Sequence, residues 1–251
     1  MTADQLIDAL ELPPDTRLDR RVSRELLIQQ AARTSGDRKL LRTRVRELVL
    51  VAMLKPETVA IPAYRDDVRE YLEIAVMSLR ADNAAPVGRV LQLIHRAVPY
   101  PALLIVEHDG RLHFSVAHKR WSQSESEAWV LEGDVVTTEP ATPADDSHSV
   151  IGAMALPRQP RSSMLGLYQG WTDTLIAQII ARETGRPFRA YTDSEDALRR
   201  REALRNYLRI SAQIDQLRRS AARERQTPRL VEMNLEIRRL EAVRADTMKL
   251  L

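Results

Sequence analysis

Asp109-Gly110 stands between two alternating apolar segments, 102–108 and 111–119, and no other dipeptide in the chain restricts the fold as strongly. A two-residue loop of this kind closes an antiparallel hairpin and sets its register. His108 then faces Arg111, and that pairing sorts the side chains that follow. Arg111, His113, Ser115, Ala117 and Lys119 share one side, while Leu112, Phe114, Val116 and His118 share the other with Leu103 and Ile105. The second side reads as core. The first is half-polar, with Tyr100 across from Lys119, and fits either a solvated antiparallel face or an anion or acid–base site.

The rest of the first 138 residues is consistent with a layer built on this hairpin. Thr2 and Gln5 have capping-box spacing for a helix to about Leu10, which Pro13-Pro14 ends. Residues 20–33 fit strand or helix. From Ser35-Gly36-Asp37, Leu41, Val45, Leu48, Val49 and Ala52 recur at helical spacing until Lys55-Pro56. Short strands are expected over Thr58–Pro62 and Tyr71–Arg80. Pro86 opens a helix with Val87, Leu91, Ile94 and Val98 on one face, and Glu127–Thr138 supplies a last strand. The order α-β-β-α-β-β-β implies an α+β class, with an antiparallel sheet of about five strands covered by helices.

Residues 139–160, with Pro140, Pro143, Pro157 and Pro160, read as a surface connection. Residues 161–191 supply a packing helix, Ser162–Glu183, with Leu165, Tyr168, Leu175, Ile176 and Ile179 inward and Gly185 as its cap, followed by an extended segment. Residues 192–251 are different in kind. Thr192 and Glu195 have capping-box spacing for a helix to about Arg225, and Gln226-Thr227-Pro228 breaks it before a second helix. Tyr207, Ile210, Ile214 and Leu217 form one apolar seam, and Met233, Ile237 and Leu240 the other. Two polar helices with one seam each make a long antiparallel hairpin of coiled-coil type. Seams this narrow call for a further surface, so these seven residues are candidates for docking a partner or a second copy.

Composition excludes several chemistries. The 251 residues contain no cysteine, which removes disulfides, iron–sulfur clusters and thiolate zinc sites. No phosphate-binding Gly-x-x-x-x-Gly-Lys loop, Gly-x-Gly-x-x-Gly turn or Gly-x-Ser-x-Gly elbow is present. His95, His108, His113, His118 and His148 lack the His-x-x-x-His spacing of a helical zinc site, so neither metal nor cofactor is expected. No run spans a membrane, and the N-terminus lacks the basic start and apolar core of a signal peptide, which makes a cytoplasmic location the expectation.

Charge is unevenly placed. Residues 17–46 hold ten bases against three acids, and residues 199–251 hold fourteen against seven, around an acidic middle. A polyanionic or acidic partner suits the two basic ends, although only four of the 38 bases are lysine, so arginine bias alone also accounts for part of it. The pairs Arg20-Arg21, Arg218-Arg219 and Arg238-Arg239, with the patch Lys119-Arg120-Trp121, are the candidate nucleic-acid contacts. An alternative centres a metal-dependent nuclease or other phosphoryl-transfer enzyme on His113, His118 and Lys119. The Glu-x-Lys pairing that holds magnesium in such enzymes is missing, since Ala117 stands two residues before Lys119.

The segments LPPDTRLDRRV (12–22), LKPETVAIP (54–62), VPYPALLIV (98–106), SVAHKR (115–120) and RLVEMNLEIRRLE (229–241) together resemble a prokaryotic family known as domain of unknown function 4391. The resemblance brings no catalytic residues. It implies a setting beside helicases and DNA methyltransferases in antiviral, restriction-like defence islands. The resulting expectation is a non-catalytic accessory subunit that docks a helicase or methyltransferase and contacts DNA through its basic surfaces. The nuclease is one alternative. A purely structural protein whose hairpin self-associates is the other.

Overall fold

A computed structural model describes residues 1–82, 87–122, 129–138, 147–191 and 193–251. The chain forms two compact units, Met1–Ile179 and Ile180–Leu251. The first is a sheet with helices on both faces. Its elements run α1 (Ala3–Ala9), β1 (Arg17–Arg21), α2 (Arg24–Ala31), α3 (Ser35–Arg44), β2 (Val45–Leu54), α4 (Pro56–Val59), β3 (Tyr64–Arg65), β4 (Glu70–Tyr71) and β5 (Ile74–Ala81). They continue with α5 (Gly88–Ala97), β6 (Ala102–His108), β7 (Arg111–Trp121), β8 (Trp129–Thr137), α6 (Ser147–Met154) and α7 (Met164–Thr184), which runs on into the second unit.

The main sheet has six strands in the order β1-β2-β5-β6-β7-β8, and β3 pairs with β4 in a separate ribbon. Its α+β class is as expected, but it is neither five-stranded nor wholly antiparallel. Between β5 and β6 the chain passes through α5, which carries it back along the sheet, so β6 lies parallel to β5 with Val76 beside Leu103. A second correction concerns residues 45–54. They form the interior strand β2 and not the end of a helix, because α3 stops at Arg44. The run VRELVLVAML is β-branched and apolar on both sides, and such a run fits a helix stripe or a doubly covered strand equally well by spacing. Residues 58–62 are not a strand either: α4 ends at Val59, and Ala60 turns the chain at φ 52°.

Both faces of the sheet are covered. On one, Leu103, Ile105, Phe114 and Val116 pack with Leu6 of α1, its C-cap Leu10, and Met154, Tyr168 and Trp171 of α6 and α7. On the other, Ala75, Met77, Leu104 and Val106 pack with Leu27, Leu41, Leu91 and Ile94 of α2, α3 and α5. The unbroken burial of Ala102–Val106 follows from this double cover. Trp171 is enclosed with its indole N–H donating to the Met154 carbonyl at 2.8 Å, so its large apolar body is buried at no polar cost.

Local signals hold where they depend on neighbours in sequence. Thr2 and Gln5 form the capping box of α1. Asp109 and Gly110 take φ 54° and 67°, and His108 pairs with Arg111. Gly185 closes α7 at φ 67°. Pro86, Glu127, the 139–146 part of the connection and Thr192 lie outside the described residues, as does the side chain of His148.

The second unit contains α8 (Ser194–Ala221) and α9 (Thr227–Met248). Asp193 caps α8, accepting from the Asp196 N–H at 2.8 Å. Ile210, Ile214 and Ile237 form the seam between the two helices, flanked by Leu217 and Leu240. No helix among the described residues is long and apolar enough to cross a membrane.

Candidate functional site

β7 carries most of the polar residues singled out from the sequence, and its alternation sends them to opposite sides of the sheet. On the α5 side, the half-polar row is enclosed from His113 to Lys119, and only Arg111 at its start is exposed. Ser115 and His95 are fully enclosed, with His95 Nε2 3.0 Å from Ser115 Oγ, and the Thr137 hydroxyl donates to Ser115 Oγ at 3.1 Å. Burial drives the His95 imidazole down to about 3, and the nearby Lys119 charge adds to that. His113 Nδ1 donates to the Thr138 carbonyl at 2.9 Å. Lys119 is 1% exposed and donates its ammonium to the Val98 carbonyl, where α5 ends. Burial brings that ammonium down to about 7. A phosphate in solvent cannot reach it, which corrects its assignment as a nucleic-acid contact.

On the α7 side, the Tyr71 hydroxyl lies 2.6 Å from His118 Nδ1, and His118 Nε2 lies 3.3 Å from Thr172 Oγ1. Thr172 donates to the Tyr168 carbonyl, so its oxygen accepts from Nε2–H, and Nδ1 accepts from Tyr71. Burial raises the Tyr71 phenol above its ordinary range, which keeps it a hydrogen-bond donor. Beside this chain Arg69 clasps Glu132 through two bonds of 2.6 and 2.5 Å, and Glu132 sits opposite His118 in the ladder. The guanidinium holds the Glu132 carboxyl below the usual carboxylate range.

These contacts hold the sheet and helices together. His113 and Lys119 face α5 and His118 faces the α7 side, so the three residues of the nuclease alternative do not converge. Among the described residues no three His, Asp or Glu side chains come together to hold a metal.

The exposed bases present a different picture. Arg20 and Arg21 lie on the edge strand β1, with Arg21 paired to Glu47 at 2.6 Å. Arg120 is half-buried and donates to the Trp121 carbonyl, and Trp121 stacks on Trp129 at 3.9 Å. In the hairpin, Arg218 pairs with Glu241 at 2.6 Å and Arg239 with Glu236 at 3.4 Å, whereas Arg219 and Arg238 make no ion pair among the described residues. Three further arginines, Arg223, Arg225 and Arg229, are not among the basic pairs legible in the sequence. With Arg219 they crowd the turn between α8 and α9, all exposed and all without an ion pair among the described residues. The one acid of the turn, Glu224, accepts from the Arg225 and Gln226 N–H groups at 2.8 Å. In the sequence they stand as two i, i+4 spacings, Arg219 with Arg223 and Arg225 with Arg229, the second spanning Pro228, and not as an adjacent basic pair.

Five of the seven docking candidates, Ile210, Ile214, Leu217, Ile237 and Leu240, pack on one another inside the hairpin. Ile210, Ile214 and Ile237 are buried, as is Tyr207, and Leu217, Leu240 and Met233 are half-buried. Exposed apolar side chains stand elsewhere on the helices, at Leu208, Val231 and Leu235.

The family described as Domain of unknown function (DUF4391) matches residues 10–243. The chain belongs to this family. No curated protein and no solved structure matches it. The DUF4391 match takes in most of the hairpin, the buried β7 contacts and the basic turn, so the turn is not an appendage outside the family region.

Proposed function

We propose that this DUF4391 chain is a non-catalytic, nucleic-acid-contacting accessory subunit whose grip is the turn of its helical hairpin. The observation that carries this reading is the group Arg219, Arg223, Arg225 and Arg229, exposed and without an ion pair among the described residues, around one turn. An exposed arginine with a carboxylate in reach gains little by leaving it for a phosphate. Four that hold no ion pair among the described residues can neutralise phosphates and release the polyanion's counterions. The absence of a convergent, accessible acid–base set among the described residues of β7 favours contact over turnover. The helicase or DNA methyltransferase implied by the family resemblance is the partner this subunit would serve in a defence complex.

The test is duplex DNA retention by the full-length protein over a salt series. Wild type should bind with a steep salt dependence and leave the DNA intact with magnesium present. The variant R219E/R223E/R225E/R229E should lose most of that affinity, with the slope of log affinity against log salt falling by about one per arginine. Unchanged binding in the variant overturns the site. Magnesium-dependent cleavage overturns the non-catalytic reading.

A further inference from the structure

The ladder between β7 and β8 is interrupted. Val116 pairs with Val136 and His118 with Glu132, so three residues, Gly133, Asp134 and Val135, stand opposite the single residue Ala117. Gly133 takes φ 76°, a conformation open to glycine and costly for residues with a Cβ. Bulges of this kind bend an edge strand and re-aim its side chains, and they recur beside binding sites. Here the bulged segment forms one wall of a cleft of about 400 Å³. The facing wall is α5, with Gln92 and Arg96. Arg33, from the loop between α2 and α3, and Trp129, at the start of β8, line it as well.

Electrostatics distinguish this cleft from an ordinary groove. One turn away on α5, Arg89 is satisfied, bonded to Asp37 at 2.9 Å and to the Gln92 side-chain oxygen at 2.6 Å. That second bond occupies the Gln92 acceptor and leaves its NH₂ group to donate. Arg33 and Arg96 make no ion pair among the described residues, although the sequence has nearly as many acids as bases. Asp134 is the one carboxylate on the wall among the described residues. Trp129 is held by its stack on Trp121, 25° from parallel, so it enters the cleft as a fixed aromatic surface. Two unspent guanidinium groups, an amide donor, a rigid indole and one acceptor match a particular ligand chemistry. The guanidinium groups suit phosphate, the indole an aromatic base, and the carboxylate a sugar hydroxyl or base amine. The volume is that of a small-molecule site.

We infer that the cleft between α5 and the bulge of β8 binds a nucleotide phosphate, held by Arg33 and Arg96 with its base against Trp129. The ligand chemistry has two sources, a free mononucleotide or the 5′-phosphorylated end of a strand. The site lies in the first unit and does not depend on the hairpin turn, so the test uses full-length protein carrying R219E/R223E/R225E/R229E. Titrations with inorganic phosphate, AMP, and a short deoxyadenosine oligonucleotide with or without a 5′-phosphate are followed by calorimetry and tryptophan fluorescence.

Fluorescence quenching with AMP binding comparable to the phosphorylated strand assigns the free nucleotide. Binding of the phosphorylated strand at least about tenfold tighter than AMP and the unphosphorylated strand assigns the strand end. In either case R33A and R96A should each weaken binding about tenfold or more, as loss of a charged hydrogen bond does. The inference is overturned if neither AMP nor the phosphorylated strand binds at millimolar concentration. It is also overturned if binding is indifferent to both substitutions, or if inorganic phosphate alone binds as well as AMP.

Discussion

Ser115 Oγ lies 3.0 Å from His95 Nε2, and through that contact β7 and α5 share an enclosed polar link beside a largely apolar cluster. The Thr137 hydroxyl closes it from β8. His95 Nδ1 has no partner among the described residues, so Ser115 is the imidazole's one hydrogen bond there. Ser115→Ala should therefore cost about 1–3 kcal/mol, the penalty for a buried polar group left unmatched, against well under that for removing an exposed hydroxyl. Urea unfolding of the variant beside Ser220→Ala, on the exposed surface of α8, measures the difference. Equal midpoints would show that the link contributes nothing.

Stability should rise with pH over two separate windows. His95 stands near 3 in the fold against an ordinary 6.5, and Lys119 near 7 against 10.5. Both take up protons more readily in the unfolded chain. His95 thus contributes fully above about 6.5 and loses its part as pH falls toward 3, while Lys119 contributes fully above about 10.5 and loses its part toward 7. Each slope is at most about 1.4 kcal/mol per pH unit. Lys119→Met should flatten the upper window and narrow the lower one, because the Lys119 charge adds to the depression of His95. A wild-type urea midpoint that is level through both windows would show these groups to be solvated.

Gly110 sits at φ 67° with nothing within 4 Å of where a Cβ would stand, so a substitution there meets backbone strain alone. Gly110→Ala should destabilise the first unit by about 1 kcal/mol. Gly36→Ala, in the first turn of α3 at an ordinary φ, should not. Thermal unfolding of the two variants compares them directly, and similar loss in both would remove the turn from the argument.

The seam of the hairpin depends on its central residue. Ile214 is fully buried between α8 and α9, while Leu235 is 60% exposed. Ile214→Ala should cost about 2–5 kcal/mol in the second unit, and Leu235→Ala within about 0.5. Hydrogen exchange of the α8 and α9 amides reads this in the full chain. Loss of protection in the Leu235 variant alone would mean that the exposed side carries the packing.

What was legible in the sequence lies close to particular residues. Thr2 with Gln5, Asp109-Gly110 and Gly185 act within a few residues of themselves, and each was placed correctly. Residues 45–54 were misread because their pattern answers two periodicities. The buried row His113, Ser115 and Lys119 looked like a surface, because polar residues on alternate positions usually mark one. Nothing local states that α5 will cover them. The basic turn was half visible: Arg218-Arg219 was read, while Arg223, Arg225 and Arg229 join it only once α8 and α9 fold back.

The sequence by itself determined the register of the β6–β7 hairpin, the helical hairpin, the uneven charge and the family. These depend on short-range backbone preference, apolar spacing and composition. The tertiary structure alone decided that β6 runs parallel to β5, that Lys119 and His95 are enclosed, and that Arg33, Arg96 and Trp129 line one cleft. Those outcomes depend on which distant segments share a layer. That choice is made by burying apolar surface on both faces of the sheet, a global free energy that no single segment carries.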